Sequence, residues 1–213
     1  LSTFRDNGGL WEQHSVYDVA TPEAFARNQE LVLRFYNERR RQLKSAQPND
    51  AHRLLAELEQ HYRVTIITQN VDNLHERGGS SNVIHLHGEL TKARSSTHPE
   101  LIYDIGFNDI QPGDTCDRGS QLRPHIVWFG EMPLQMDEIH KIAEESALFV
   151  SIGTSGEVYP AAGFVSMFRE MKKPTVELNL EPSRNQDQFD FTIHKPATVA
   201  VEEFKNLVLK NIK

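Results

Sequence analysis

The sequence has one cysteine, no long apolar run and no strong basic stripe, and each absence excludes a class of protein. Cys116 is the single cysteine among 213 residues, so neither a disulfide framework nor a four-cysteine zinc site can form. No apolar stretch approaches the roughly 18 residues that a membrane helix needs. The net charge is −7, whereas nucleic-acid binders usually carry a basic surface. These features predict a cytoplasmic protein that binds neither nucleic acid nor membrane.

Length and hydrophobic patterning predict an α/β fold. A chain of 213 residues suits one domain, or one domain with an inserted module. Strands that alternate with helices favour a Rossmann-like parallel sheet with helices on both faces. Helices are predicted at 22–44, 52–62, 136–147, 160–172 and 201–212, and strands at 63–70, 82–88, 125–131, 147–153 and 174–180. Residues 91–122 contain several prolines and glycines without sustained periodicity, which predicts a smaller loop-rich inserted module.

Polar or glycine residues follow three of the predicted strands. They are Gln69, Asn70 and Asp72 after the first, Gly153, Thr154 and Ser155 after the second, and Asn179 and Glu181 after the third. Each set alone could simply form a turn. In a parallel sheet, ligands bind beyond the carboxyl ends of the strands, so the recurrence predicts a binding crevice. Neither the dehydrogenase fingerprint GxGxxG nor a P-loop is present.

The segment VIHLHG places two histidines in a predicted strand. His85 and His87 stand two residues apart, so both side chains are expected on the same side of the strand. One hypothesis is a metal-dependent hydrolase that uses both rings, although a catalytic zinc site needs three protein ligands. The other is that one histidine is a general base, because imidazole accepts a proton near neutral pH.

Five motifs in a fixed order carry a family resemblance. TQNVDNLHERGG, VIHLHGEL, LRPHIVWFGEMP, IGTSGEVYPAAGF and ELNLEP closely resemble the sirtuins, the NAD-dependent protein deacylases, and most closely the bacterial CobB-like group (class III). The segment STFRDNGGLW resembles the start of the sirtuin cofactor loop. The resemblance runs from Ser2 to the C-terminal helix, and it implies a single catalytic domain over residues 1–213.

The resemblance implies a reaction and its site residues. Nicotinamide leaves NAD, the acyl group of a modified lysine is transferred to ADP-ribose, and His87 is the general base, with His85 as its structural neighbour. The cofactor contacts implied are Phe4, Arg5, Trp11, Gln69, Asn70, Asp72, Gly153, Thr154, Ser155, Asn179, Leu180, Glu181 and Ala197. An acyl-lysine peptide would add as a strand between two others, with contacts to Val127, Phe129, Gly130, Glu131 and Val158.

One residue pair indicates the acyl group. Tyr36 and Arg39 lie three apart in a helical insertion at 22–50, so they share a helix face. In sirtuins that remove succinyl or malonyl groups, a Tyr-x-x-Arg pair holds the distal carboxylate, which suits the planar charged fork of arginine. The alternative is a surface arginine beside a core tyrosine. The pair predicts a deacetylase that is also a desuccinylase and demalonylase, acting on acyl-lysine proteins as a monomer.

The chain departs from the sirtuin pattern in two places. Most sirtuins bind zinc through two CxxC pairs, but here Ser95 and Ser96 stand near the first pair and Cys116 is alone. A mixed site of His98, Cys116 and His125 has the wrong spacing, so no structural zinc is expected.

The second departure is the family's GAGxSxxSG cofactor loop, which does not precede Leu1. A longer gene product is expected for this reason. The alternative is a catalytically weak NAD- or ADP-ribose-binding module.

Overall fold

The computed structural model describes residues 15–210 and divides into two compact units. The first contains the described residues up to Gln47, with Thr68–Asn73 and His85–Leu134, and the second contains Pro48–Ile67, Leu74–Ile84 and the described residues from Gln135 onward. Phe4, Arg5 and Trp11 lie outside the described residues. Within 15–210, each helix is too short or too polar to cross a bilayer.

The elements are numbered in chain order. The helices are α1 Val16–Val19, α2 Pro22–Arg27, α3 Gln29–Ser45, α4 Asp50–Leu58, α5 Leu74–Arg77, α6 Met136–Glu145, α7 Phe164–Glu170 and α8 Ala197–Lys210. The strands are β1 Ile66–Thr68, β2 Val83–His85, β3 Gly88–Ser95, β4 Ile102–Asp104, β5 Leu122–Ile126, β6 Phe149–Ile152, β7 Thr175–Asn179 and β8 Phe191–His194. The described strands form the sheets β1-β2, β4-β3-β5 and β6-β7-β8.

The parallel sheet of the second unit confirms the predicted α/β class. β6 pairs with β7 and β7 with β8, both in parallel. One face packs Val176 and Leu178 against α4 and α8, where Leu58 and Phe204 are buried. On the other face Phe149 stacks on Phe168 of α7 with ring centroids 5.0 Å apart. Helices therefore cover both faces, as expected for a buried parallel sheet.

The single helix predicted over 22–44 is wrong, because the chain breaks at Asn28. This residue has φ −151° and ψ 79°, outside the helical region, and its side chain accepts a 3.1 Å hydrogen bond from the Leu31 N–H. Asparagine is a strong N-cap, so it ends α2 and starts α3. The restart gives α3 a new buried face that includes Leu33 and Tyr36.

Residues 91–122 contain more regular structure than the sequence predicts. β3 pairs antiparallel with both β4 and β5, with a bulge between Glu89 and Ala93. The apolar alternation that would predict a strand is interrupted here by charged residues at buried positions. Arg94, for example, is only 8% exposed. Its partner, Glu131, comes from outside the segment, so burial of the strand depends on a contact that local sequence does not show.

Candidate active site

His87 lies in a tight turn between β2 and β3. The prediction of one strand through both histidines is wrong, because β2 ends at His85 and the next two residues form a turn. Gly88 has φ +80°, and a Cβ there would lie 2.0 Å from the carbonyl oxygen of His125. Only glycine fits this close approach with a left-handed backbone. The carbonyl of His87 accepts a 2.9 Å bond from the Val127 N–H, which fixes the turn.

The ring of His87 is oriented as a general base. Its Nδ1 lies 3.2 Å from the carbonyl oxygen of Gln69. A carbonyl can only accept, so Nδ1 carries the proton and Nε2 presents a lone pair. Burial lowers the pKa of His87 below its ordinary value, although the hydrogen bond to Gln69 opposes this effect. The ring is therefore neutral at neutral pH and able to accept a proton.

His85 has different surroundings. It is 7% exposed, and its Nε2 lies 3.7 Å from Oε1 of Glu89. The other oxygen of Glu89 lies 2.6 Å from Nζ of Lys92. Among residues 15–210, no group of three potential metal-ligand atoms within 4.8 Å of one another includes His87. A metal site that uses both histidines therefore has no third ligand in this part of the chain.

The segment after β1 joins the same unit. The Asn70 N–H donates to Oγ1 of Thr68 at 3.0 Å, and the carbonyl of Val71 accepts a 2.7 Å bond from the Leu90 N–H. These bonds hold the backbone at 69–72 beside the turn that carries His87. Asp72 is half-buried and acts electrostatically on Arg39.

Tyr36 and Arg39 are both buried on α3, 2% and 5% exposed. The alternative of a surface arginine is therefore wrong. Burial lowers the pKa of Arg39 to about 10, while Tyr36 and Asp72 favour its charged form, so the guanidinium is still a cation at neutral pH. Burial raises the pKa of Tyr36, which keeps its hydroxyl protonated.

Trp128 links Tyr36 to a buried ion cluster. Its Nε1 donates a 3.0 Å hydrogen bond to the hydroxyl of Tyr36. The guanidinium carbon of Arg123 lies 3.3 Å from the centroid of the Trp128 ring. Arg123 donates to both oxygens of Glu131 at 2.7 and 2.9 Å, and Arg94 donates to one at 2.9 Å. Trp128 was not among the predicted site residues. Its position in the WFGE motif was the only indication in the sequence.

Glu131 is held by several donors. Burial alone raises its pKa, but the hydrogen bonds and charge of Arg123, the Trp128 N–H and the charge of Arg94 together lower it. The Trp128 N–H donates to its Oε2 at 2.8 Å. The carboxylate therefore closes the turn at 128–131, and a peptide contact by Glu131 stays a prediction.

The predicted strand over 125–131 is wrong at its end, because β5 stops at Ile126. The Val127 N–H donates to the carbonyl of His87 at 2.9 Å, and the Phe129 N–H donates to the carbonyl of Ala20 at 3.0 Å. Gly130 has φ +90°, which turns the chain away from the sheet. The ring of Phe129 is 54% exposed and the side chain of Met132 is 80% exposed, so an apolar surface is left in solvent.

The second unit holds the other predicted contacts. The register Ile152↔Leu178 aligns the ends of β6 and β7, so the loops after them leave from one edge of the sheet. The side-chain amide of Asn179 donates to the carbonyl of Thr154 at 2.7 Å, and the Arg184 N–H donates to the carbonyl of Ser155 at 3.1 Å. Gly153 has φ +62°. Of the other predicted contacts in this unit, Leu180 and Glu181 are exposed, and Val158 and Ala197 are half-buried.

The loops at this edge of the sheet leave backbone open to solvent. Gly153 carries no side chain over the loop, and a Cβ there would have no atom within 4 Å, so a ligand could approach the backbone. Thr154, Ser155 and Asn179 contribute hydroxyl and amide groups to these loops. Ligands of open parallel sheets bind at such an edge.

The comparisons with known proteins agree with this geometry. The Sir2 family model matches residues 1–160. The NAD-dependent protein deacylase of Escherichia coli (strain K12) is 50% identical over 220 residues, covering 100% of this chain and 78% of that protein.

This chain belongs to the Sir2 family.

Other Sir2 relatives extend the comparison. The NAD-dependent protein deacylase of Vibrio cholerae is 50% identical over 216 residues, covering 98% of this chain and 87% of that protein. A Sir2 homolog–NAD complex has a TM-score of 0.89 at 36% identity, covering 99% of this chain and 84% of that one. A Sir2 complex with a deacetylated p53 peptide and 3′-O-acetyl ADP-ribose has a TM-score of 0.80 at 30% identity, covering 99% and 86%. The predicted sirtuin resemblance is confirmed.

Hydrogen bonds connect the residues of the 91–122 module at the place where the sequence analysis considered a zinc site. Ser95 Oγ accepts from the His98 N–H at 3.1 Å and from Sγ of Cys116 at 3.3 Å. The Cys116 N–H donates to the carbonyl of Ser120 at 2.8 Å, and the hydroxyls of Thr97 and Ser120 lie 2.6 Å apart. Within residues 15–210, no group of three potential ligand atoms within 4.8 Å of one another includes Cys116.

Proposed function

We propose that this protein is an NAD-dependent protein-lysine deacylase that transfers the acyl group to ADP-ribose and releases nicotinamide. The observation that supports this most strongly is the orientation of His87, with Nδ1 on the Gln69 carbonyl and Nε2 presented as a base. Relatives about 50% identical are named NAD-dependent protein deacylases. The domain is proposed to be a single catalytic one, with acyl-recognition residues in 22–50 and a small module at 91–122.

NAD would be held by the groups at the carboxyl ends of the strands. In the second unit these are the loops that carry Gly153 and Asn179. NAD, when bound, would supply the ADP-ribose that accepts the acyl group. His87 supplies the base: Nε2 takes a proton from a hydroxyl, and the Nδ1 bond to Gln69 becomes stronger as the ring gains charge.

The acyl group is proposed to include dicarboxylic acyls, succinyl and malonyl, besides acetyl. Arg39 provides a buried cation whose surroundings are short of water, where an ion pair with a carboxylate is stronger than at the surface. Tyr36 accepts from Trp128, so its own O–H proton remains to donate to a second acceptor. A cation beside a hydroxyl donor suits a carboxylate at the end of an acyl chain.

The substrate is proposed to be an acyl-lysine segment of another protein. The exposed Phe129 and Met132 offer apolar contact to such a segment. Because the N–H groups of Val127 and Phe129 already donate inward, strand addition at 127–131 would use the carbonyls of this segment. The protein is further proposed to act as a cytoplasmic monomer.

The 91–122 module is proposed to contain no structural zinc. The hydrogen bonds of Ser95 with Cys116 and His98 replace metal ligation there. Elemental analysis of the purified protein tests this, and one zinc per chain would contradict it.

The deacylase proposal has a direct experiment. Acetyl-lysine and succinyl-lysine forms of one peptide are incubated with the protein, with and without NAD, and nicotinamide and free-lysine peptide are measured by mass spectrometry. We expect both products in equal amounts and only with NAD. Binding of NAD without release of nicotinamide would instead favour a binding module.

A further inference from the structure

A buried carboxylate lies at the centre of the parallel sheet of the second unit. Glu177 stands in the middle strand β7 and is 1% exposed. Its neighbours in the strand, Val176 and Leu178, pack into the apolar core. A buried carboxylate is costly unless hydrogen bonds compensate it, so its presence in a strand of this kind requires an explanation.

Two side chains contact the carboxylate of Glu177. Ser183 Oγ donates to Oε1, and His194 Nε2, at the end of β8, lies 3.1 Å from Oε2. Ser183 is itself 7% exposed. The carboxylate therefore ties the chain after β7 and the end of β8 to the middle of the sheet.

The contacts continue from Ser183 to the loop after β6. Ser183 Oγ lies 2.9 Å from Oδ1 of Asn185, and Nδ2 of Asn185 donates to the carbonyl of Ala162 at 3.1 Å. Gly156 has φ +71°, and a Cβ there would lie 2.1 Å from Oδ1 of Asn185. The Arg184 N–H also donates to the carbonyl of Ser155 at 3.1 Å, so the two loops touch through the residues that directly follow Ser183.

We propose that Glu177 is a positioning residue for the nucleotide end of NAD: through Ser183 it holds residues 180–186 against residues 153–157. This rests on the proposed function, because these two loops carry the proposed cofactor contacts. Glu177 does not touch NAD in this account. It sets NAD affinity by fixing where Asn179, Thr154 and their neighbours stand.

The same strand offers a matched control. Thr175 is 0% exposed, and its N–H and hydroxyl both donate to Oδ2 of Asp190, at 2.9 and 3.0 Å. It points to the same face of β7 as Glu177 but lies at the amino end of the strand, away from the loops. Thr175→Val therefore removes a buried hydrogen-bonded group without touching the Ser183 contacts.

The experiment compares Ser183→Ala, Glu177→Gln and Thr175→Val in the purified protein. The measurements are KM for NAD, KM for an acetyl-lysine peptide, kcat, Tm, and the Kd of ADP-ribose by calorimetry. We expect Ser183→Ala to raise KM for NAD and Kd for ADP-ribose about fivefold, the equivalent of one lost hydrogen bond. The kcat and the peptide KM should change less than about twofold, and Ser183→Thr should restore NAD affinity. Thr175→Val should lower Tm without raising either nucleotide constant.

Different results overturn the two proposals. If Ser183→Ala and Glu177→Gln raise the nucleotide constants no more than Thr175→Val does, the positioning role is wrong. If Glu177→Gln fails to fold, the comparison of Ser183→Ala with Ser183→Thr decides the matter. If the unmodified protein binds ADP-ribose but releases no nicotinamide, the deacylase proposal is wrong, and the calorimetric comparison still tests Glu177.

Discussion

The indole nitrogen of Trp128 donates a 3.0 Å hydrogen bond to the hydroxyl of Tyr36, across 92 positions of the chain. An indole N–H can only donate, so the Tyr36 oxygen is the acceptor and the Tyr36 proton is directed elsewhere. The bond therefore leaves the Tyr36 proton for a second acceptor, and Arg39 follows three residues later on the same helix face.

Trp128→Phe should lower desuccinylation more than deacetylation. The variant keeps an aromatic ring but removes the donor, which frees the Tyr36 hydroxyl to rotate. We expect the desuccinylation-to-deacetylation ratio of kcat/KM to fall about fivefold, the effect of about 1 kcal/mol. Phe25→Leu is the control, since Phe25 packs on the Trp128 ring at 5.4 Å without that hydrogen bond. An equal fall of the ratio in both variants would attribute the effect to packing.

Arg39→Met should lower desuccinylation far more than deacetylation. Methionine keeps an unbranched apolar side chain but removes the cation, and a hydrogen bond to a charged group contributes about 1.5–3 kcal/mol. We expect desuccinylation to fall about 10- to 100-fold and deacetylation to change only a few-fold, measured with matched peptides. Undiminished desuccinylation would show that Arg39 does not bind the acyl carboxylate.

The two histidines of VIHLHG should respond unequally. His87→Tyr should abolish turnover, because it removes Nε2 as the base, whereas His85→Gln should leave much of the activity. Since burial lowers the pKa of His87, the kcat/KM of the unmodified protein should rise with pH and be half-maximal below about pH 6.5, the ordinary pKa of histidine. Nicotinamide release, measured between pH 5 and 8 for the unmodified protein and the two variants, tests the mutational effects and the pH dependence. Substantial turnover by His87→Tyr would remove His87 from the mechanism.

His125 should make the fold sensitive to acid. Burial, then the charges of Arg94 and other nearby cations, lower its pKa to about 4, against about 6.5 when unfolded. Between these values the unfolded chain binds more protons, so the contribution of His125 to stability is complete above about pH 6.5 and is lost as pH falls toward 4. In urea unfolding at several pH values, His125→Gln should show a weaker pH dependence. Parallel curves for the two proteins would exclude this contribution.

Gly88→Ala should destabilise the protein far more than Gly106→Ala. Both glycines have positive φ, +80° and +54°, but only at Gly88 would a Cβ meet another atom, the carbonyl oxygen of His125 at 2.0 Å. We expect a loss of about 2–5 kcal/mol at Gly88 and about 1–2 kcal/mol at Gly106, from urea unfolding. Equal losses would mean that the backbone next to His87 can relax.

The sequence predicted the features that depend on local pattern. Alternating strands and helices indicated the parallel sheet of the second unit. Tyr36 and Arg39 do share a helix face, which follows from their spacing. The break at Asn28 also depends on local sequence. It was not predicted because the helical periodicity continues across Asn28, the N-cap of α3.

The features that depend on distant contacts were not predictable. β2 ends before His87 because the backbone at Gly88 meets His125, 37 positions later along the chain. Arg39 is buried although arginine is usually exposed. The strand that contains Arg94 is stabilised by Glu131, and neither residue alone indicates the pair.

The one thiol of the protein also makes the 91–122 module observable. Cys116 is 5% exposed, and its thiol donates a hydrogen bond to the hydroxyl of Ser95. An alkylating reagent can therefore reach it only when the module opens. The rate of labelling, compared with that of a free thiol, therefore gives the free energy of that opening at a single, known position. The opening of this module can thus be followed in solution through a cysteine that the protein already contains.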